Sequence, residues 1–220
     1  MFERLLKKIA IQLKKGAIPY MVIGGQAVLL YGEPRLTRDI DITLGIGVEE
    51  LGKVKKILRT MGLRILVKDD KEFVAKTMVL PAMERESGIR IDFTFSYSLY
   101  ERQAIERAKE IKLGRTSVRF ASLEDLVIHK VIAGRARDLE DVRSILLKNP
   151  KYDSHYIEKW LAEFDPFGGA KPRLLRRSKE APLRVNPERA RVLSQWSRRV
   201  DKSLGEHFLK VFKGIEKEVH

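Results

Sequence analysis

A chain of 220 residues has room for one full domain and a smaller companion. Its 44% hydrophobic and 34% charged residues are those of a soluble folded protein, and no apolar run reaches the roughly 18 residues of a membrane helix. With no cysteine, disulfides and thiolate metal centres are excluded, and four histidines placed singly (His129, His155, His207, His220) give zinc no ligand set. Forty-four Lys and Arg against 30 Asp and Glu leave a net charge of +14, which favours a polyanionic partner such as a nucleotide or nucleic acid.

In chain order, Met1 to Lys15 reads as an amphipathic helix with Leu5, Ile9 and Leu13 on one side. It lacks the unbroken apolar core of a signal peptide, so a cytoplasmic location is expected. Residues 20 to 24 form an apolar strand that closes on Gly24 and Gly25, and a helix follows over Gln26 to Tyr31. After the break at Gly32 to Pro34, Asp39-Ile40-Asp41-Ile42-Thr43 alternates polar and apolar with period two, the pattern of a half-buried strand.

Val48 to Met61 is expected as a helix, with strands at Leu63 to Val67, Glu72 to Leu80 and Ile89 to Phe95. The last of these puts Asp92 on its polar face, opposite Ile89, Ile91, Phe93 and Phe95. A helix over Leu99 to Lys109 and a strand around Ser117 to Phe120 complete a core of mixed sheet with covering helices. Ser122, with Asp125 three residues on, has the shape of a capping box opening a helix that ends near Gly134. Helices over Arg137 to Lys148 and Tyr152 to Phe164 make a small bundle, and Asp165 to Pro172 is a linker. From residue 166 on, 14 Lys and Arg face 6 Asp and Glu, a helical tail of net +8.

The chemistry concentrates at Asp39 and Asp41. Residues i and i+2 of a strand project from one face, so the two carboxylates lie side by side and repel unless something neutralises them. A hard divalent cation, which selects carboxylate oxygens, is one answer; a surface cluster with Arg35, Arg38 or a lysine is the other. Gly24 and Gly25, where a strand runs into a helix, leave backbone N–H groups and the helix dipole open to a phosphate. Lys130 falls among Leu123, Leu126 and Val127 on the helical wheel, where a buried ammonium needs a compensating anion or must snorkel to water. Asp138 or Asp141, at helical spacing beyond it, is placed to orient Lys130 or an arginine, with Asp138 favoured.

Gly24-Gly25, Asp39-Ile40-Asp41, and Asp92 within Ile-Arg-Ile-Asp-Phe together resemble the signature of the polymerase-β nucleotidyltransferase superfamily. Within it, Val22-Ile-Gly-Gly-Gln-Ala, Pro34-Arg-Leu-Thr-Arg-Asp-Ile-Asp and the stretch from Leu126 to Val142 are similar to the AbiEii-like toxins of toxin–antitoxin and phage-defence systems. The likeness runs over about residues 18 to 147 and leaves out the basic tail. Where the superfamily often has Ser after the first glycine, this chain has Gly25, as the toxin-like group commonly does.

The resemblance implies an α+β fold: a nucleotidyltransferase core over residues 1–121, a helical bundle over 122–164 that completes the nucleotide site, and a linker and basic tail over 165–220. It implies that Asp39, Asp41 and Asp92 ligate two Mg²⁺ ions, with Mn²⁺ as a substitute, and that Asp92 helps deprotonate the acceptor. Gly24, Gly25, Lys130, Asp138, Arg35 and Arg38 would then contact the nucleotide. The expected reaction moves a nucleoside monophosphate from an NTP to a hydroxyl, with RNA (the tRNA 3′ end) as the acceptor suggested by the basic tail, and an antitoxin as a further partner. The competing expectations are a non-catalytic nucleic-acid- or partner-binding module on the same fold, and an antibiotic-modifying transferase.

Overall fold

The computed structural model describes residues 1–96, 98–163 and 204–220. The expected linker and most of the basic tail lie outside the described residues. The chain divides into two compact units, Met1–Leu126 and Val127–His220.

The first unit is built on a seven-stranded sheet: β1 (Tyr20–Ile23), β2 (Asp39–Leu44), β3 (Leu63–Ile65), β4 (Val79–Glu84), β5 (Arg90–Phe95), β6 (Lys109–Leu113) and β7 (Thr116–Phe120). Their order across the sheet is β3-β4-β5-β2-β1-β7-β6. The sheet is mixed, as expected: β2 runs parallel to β5 and β1 to β7, while β1–β2, β3–β4, β4–β5 and β6–β7 are antiparallel. Helices α1 (Phe2–Lys15), α2 (Gly24–Tyr31), α3 (Leu51–Thr60, entered through a 3-10 turn at Val48–Glu50), α4 (Asp70–Thr77) and α5 (Leu99–Glu106) accompany it.

The period-two strands bury one set of side chains completely: Ile40, Ile42 and Leu44 of β2, and Ile91, Phe93 and Phe95 of β5, have no exposure. Burying a side chain of this size contributes about 1.5–3 kcal/mol, so these six fix the register of the two central strands against slippage. A one-residue slip would turn all of them outward and bring the acids in.

Two local expectations are corrected. Glu72 to Leu80, read as a strand, is helix α4 followed by the start of β4. Asp69 caps the helix by accepting from the Glu72 backbone N–H at 3.0 Å, and Met78 ends it in the left-handed region at φ +59°. The cap and the turn outweigh a weak strand pattern, and of the helix that forms only Val74 is buried. Helix α5 stops at Glu106 rather than at Lys109, because Lys109–Leu113 forms the outermost strand β6. Charged residues along an edge strand disguise it in the sequence while protecting it from further pairing.

In the second unit, α6 (Leu123–Ala133, begun in the first), α7 (Ala136–Lys148), α8 (Ser154–Glu163) and α9 (Leu204–Val219) are helical. Helix α9 packs on α7 and α8, burying Phe208, Phe212 and Ile215. Arg143 Nε donates to Glu218 at 2.7 Å and Tyr152 Oη to Glu216 at 2.9 Å. Phe208 is therefore a core residue of this unit. No helix among the described residues is long and apolar enough to cross a membrane.

Candidate active site

Asp39 and Asp41 stand half-buried on one face of β2, between the fully buried Ile40 and Ile42. The parallel pairing of β2 with β5 sets Asp41 opposite Asp92 and Asp39 opposite Arg90. Paired strands lie about 4.8 Å apart, so three carboxylates that are far apart in sequence share one small area of sheet. On the other side of β2, Asp41 pairs with Ile23, the last residue of β1, which leads directly into α2.

The two glycines have different tasks. Gly24 adopts φ +65°, where only glycine is unstrained, and a Cβ built there would lie 1.9 Å from Asp41 Oδ2. The Asp41 carboxylate occupies the space that any other residue's side chain would fill. At Gly25 a Cβ would lie 2.4 Å from Thr37 Oγ1 and 2.8 Å from Thr37 Cβ. A hydroxyl thus already sits beside the backbone of residue 25, supplied by Thr37, which donates to Asp39 Oδ1 at 3.3 Å. Ile23 at the N-cap offers the first turn of α2 no side-chain hydrogen bond and that turn holds no acidic residue, which suits a helix end receiving an anion.

Arg90 Nε donates to Asp92 Oδ1 at 2.9 Å. That hydrogen bond, with the charges of Asp92, Asp39 and Asp41 behind it and burial opposing, raises the Arg90 pKa above its usual value. Of the two arginines expected to flank the acids, Arg38 is exposed, and Arg35 is half-buried with a 3.4 Å hydrogen bond to the Leu36 carbonyl.

Among the described residues no group of three His, Asp or Glu side chains stands arranged to hold a metal ion. By chemistry, though not by their present arrangement, the donors are of the kind a hard divalent cation takes: three carboxylates on adjacent strands, oxygen donors only, with Asp41 seated in the space left by a glycine. Asp92 departs from a closed cage in being committed to Arg90. A cleft of about 700 Å³ lined by Lys14, Tyr20, Arg115 and Arg119 lies elsewhere, toward the Tyr20 end of β1 rather than the Ile23 end that meets Asp41.

In the second unit Lys130 is buried and has two anions. Its Nζ lies 2.7 Å from Asp138 Oδ1 and 2.8 Å from Asp141 Oδ2. Arg135 Nε also reaches Asp138. Burial alone would push the Asp138 pKa up, but hydrogen bonds from Arg135 and Lys130 hold it below its ordinary value. Sequence reasoning offered Asp138 and Asp141 as alternatives, and both contact the lysine; the compensating anions come from α7 next along the chain.

Sequence reading gave no functional role to Thr37 or Arg90, both of which contact the acid cluster. Arg90 carried a readable signal, since it precedes Asp92 by two residues on one strand face. Thr37 carried none, because its position against Gly25 depends on the path of residues 32–38.

The first unit is thus a mixed sheet with covering helices that brings acids together on neighbouring central strands. Known structures share the fold. The solution structure of the antibiotic-resistance factor ANT(2'')-Ia is 16% identical, with a TM-score of 0.52 over 90% of this chain and 97% of that one. A crystal structure of ANT(2'')-Ia in complex with adenylyl-2''-tobramycin is 18% identical, with a TM-score of 0.50 over 71% and 92%. No curated protein matches the chain in sequence. Residues 2–165 match the family described as "Nucleotidyltransferase of unknown function (DUF6036)", and the chain belongs to that family.

Proposed function

We propose that this enzyme transfers a nucleoside monophosphate from an NTP to an acceptor hydroxyl, using divalent cations held by Asp39, Asp41 and Asp92. The observation that carries the reading is the register of β2 against β5, which sets Asp41 beside Asp92 with Asp39 on the same face. Mg²⁺ is the ion we propose, in a pair, with Mn²⁺ able to replace it; when bound, such ions neutralise phosphate charge and polarise the phosphoryl oxygens for in-line displacement.

Each residue then has a task. Gly24 leaves Asp41 its position, and the first turn of α2 offers backbone N–H groups to the triphosphate. Thr37 orients Asp39 by donating to it. Asp92 accepts the acceptor's hydroxyl proton once its oxygen is released from Arg90. Arg35 and Arg38 are proposed phosphate contacts. For Lys130 and Asp138, a nucleotide-contacting role means that Lys130 gives up one of its two carboxylate partners, which makes them the costliest of the proposed contacts to recruit.

RNA, with the tRNA 3′ end first, is the proposed acceptor, on the strength of the net charge of +14. The resemblance of the stretch from Val22 to Asp41 to the AbiEii-like toxins is the ground for proposing a toxin role with an antitoxin partner. The test is incubation of the purified chain with Mg²⁺, each labelled NTP and total RNA, in parallel with an aminoglycoside and a protein mixture. Label entering RNA, and lost with Asp41→Asn, supports the proposal. Label on the aminoglycoside or on protein would reassign the acceptor, and label on nothing would favour a binding module.

A further inference from the structure

We propose that Arg90 is a built-in counter-ion of the acid cluster, one that competes with the divalent cation for Asp92 and so sets how tightly the site takes metal. The inference rests on reading Asp39, Asp41 and Asp92 as the metal ligands.

Arg90 precedes Asp92 by two residues on β5, so both side chains leave the same face of the sheet. It also stands opposite Asp39 in the β2–β5 register, with Asp41 opposite Asp92. One guanidinium therefore shares a face with three carboxylates, and all three act on it electrostatically.

The contact is suited to exchange. It is the Nε of Arg90 that meets Asp92 Oδ1, a less demanding geometry than the two parallel bonds a guanidinium can make to a carboxylate. The Arg90 side chain is 54% exposed against 22% for Asp92, so the long cation can swing into water while the short acid stays fixed by its strand. An ion pair this exposed is worth little on its own. It is strong enough to hold a carboxylate that would otherwise face two others, and weak enough to yield to a doubly charged ion. Once displaced, the guanidinium remains on the same sheet face, where triphosphate oxygens are its next anions. Arg90 is thus a positioning residue whose displacement favours metal arriving together with nucleotide.

The test uses the full chain and Mn²⁺ alone as probe, with free Mn²⁺ read by electron paramagnetic resonance or binding by calorimetry. Arg90→Met is expected to bind Mn²⁺ more tightly than the parent, by roughly fivefold, the value of an exposed ion pair of about 1 kcal/mol. Arg90→Lys, which keeps the charge, is expected to stay within about twofold. In chelator, Arg90→Met should melt below the parent, and saturating Mn²⁺ should close the gap, a reversal that a purely structural arginine would not produce. Mn²⁺ binding that is unchanged or weaker in Arg90→Met, or tightened equally by Arg90→Lys, overturns the counter-ion role. Failure of the metal reading looks different: the parent binds no Mn²⁺, or Asp41→Asn leaves its binding intact.

Discussion

Replacing Gly24 with alanine separates backbone strain from damage to the site, because the structure supplies a matched control. Gly24 and Gly88 share a positive φ, +65° and +68°, but a Cβ at Gly88 would meet nothing within 4 Å while one at Gly24 would lie 1.9 Å from Asp41 Oδ2 and 2.8 Å from its Cγ. Both substitutions incur about 1–2 kcal/mol for an L-residue in the left-handed region. Gly24→Ala adds the displacement of Asp41 from its rotamer, about 0.5–1.5 kcal/mol. The sum, about 1.5–3.5 kcal/mol, lies below the 5–15 kcal/mol that typically holds a domain together, so both variants fold. Gly24→Ala should melt about 2–4 °C below Gly88→Ala. Its nucleotide-transfer rate should fall by about 100-fold, because a catalytic group misplaced by an ångström costs that much, while Gly88→Ala stays near the parent rate. Thermal melts and label transfer on the three proteins decide the matter. Equal activity in the two variants would refute the claim that Gly24 is glycine for the sake of Asp41.

Gly25→Ser should destabilise the protein by about 1–3 kcal/mol through overpacking against Thr37. The double variant with Thr37→Gly, which removes the three close atoms, should recover part of that loss in a denaturant titration; strictly additive effects would sink the steric explanation. Lys130→Met strips the ammonium from two buried carboxylates, and a loss of about 3–5 kcal/mol is expected in the same assay. Asp138, held below the usual carboxylate pKa, contributes stability that is fully present above about pH 4 and is lost as pH falls through its lowered folded-state value. Melts at descending pH should therefore show a shallower acid slope for Asp138→Asn than for the parent, and identical slopes would contradict the ion-pair account.

The sequence by itself determined the strands that matter most. Period-two alternation at Asp39–Leu44 and Arg90–Phe95 records that one face of each is buried and the other carries acids, and burial of Ile40, Ile42, Ile91 and Phe93 enforces that division locally. Ser122 as a cap was equally legible, because its partner, the Asp125 backbone N–H at 3.1 Å, lies three residues away. The failures have a common cause. Whether Glu72–Leu80 becomes helix or strand depends on a cap and a left-handed turn at its ends, and β6 exists because β7 is there to pair with it.

At the site the same boundary applies. Sequence placed Asp39 beside Asp41, since two residues on one strand fix their own geometry. The family resemblance grouped Asp92 with them; only the tertiary structure decided that Arg90 stands across from Asp39, that Asp41 fills the absent side chain of Gly24, and that Thr37 fills that of Gly25. Each of these is a contact between segments whose separation in the chain carries no periodic trace. Charge alone could not tell which cation serves which acid: Arg35 and Arg38 are nearer to Asp39 in sequence, and the register of two parallel strands brings Arg90 to the cluster from the neighbouring strand.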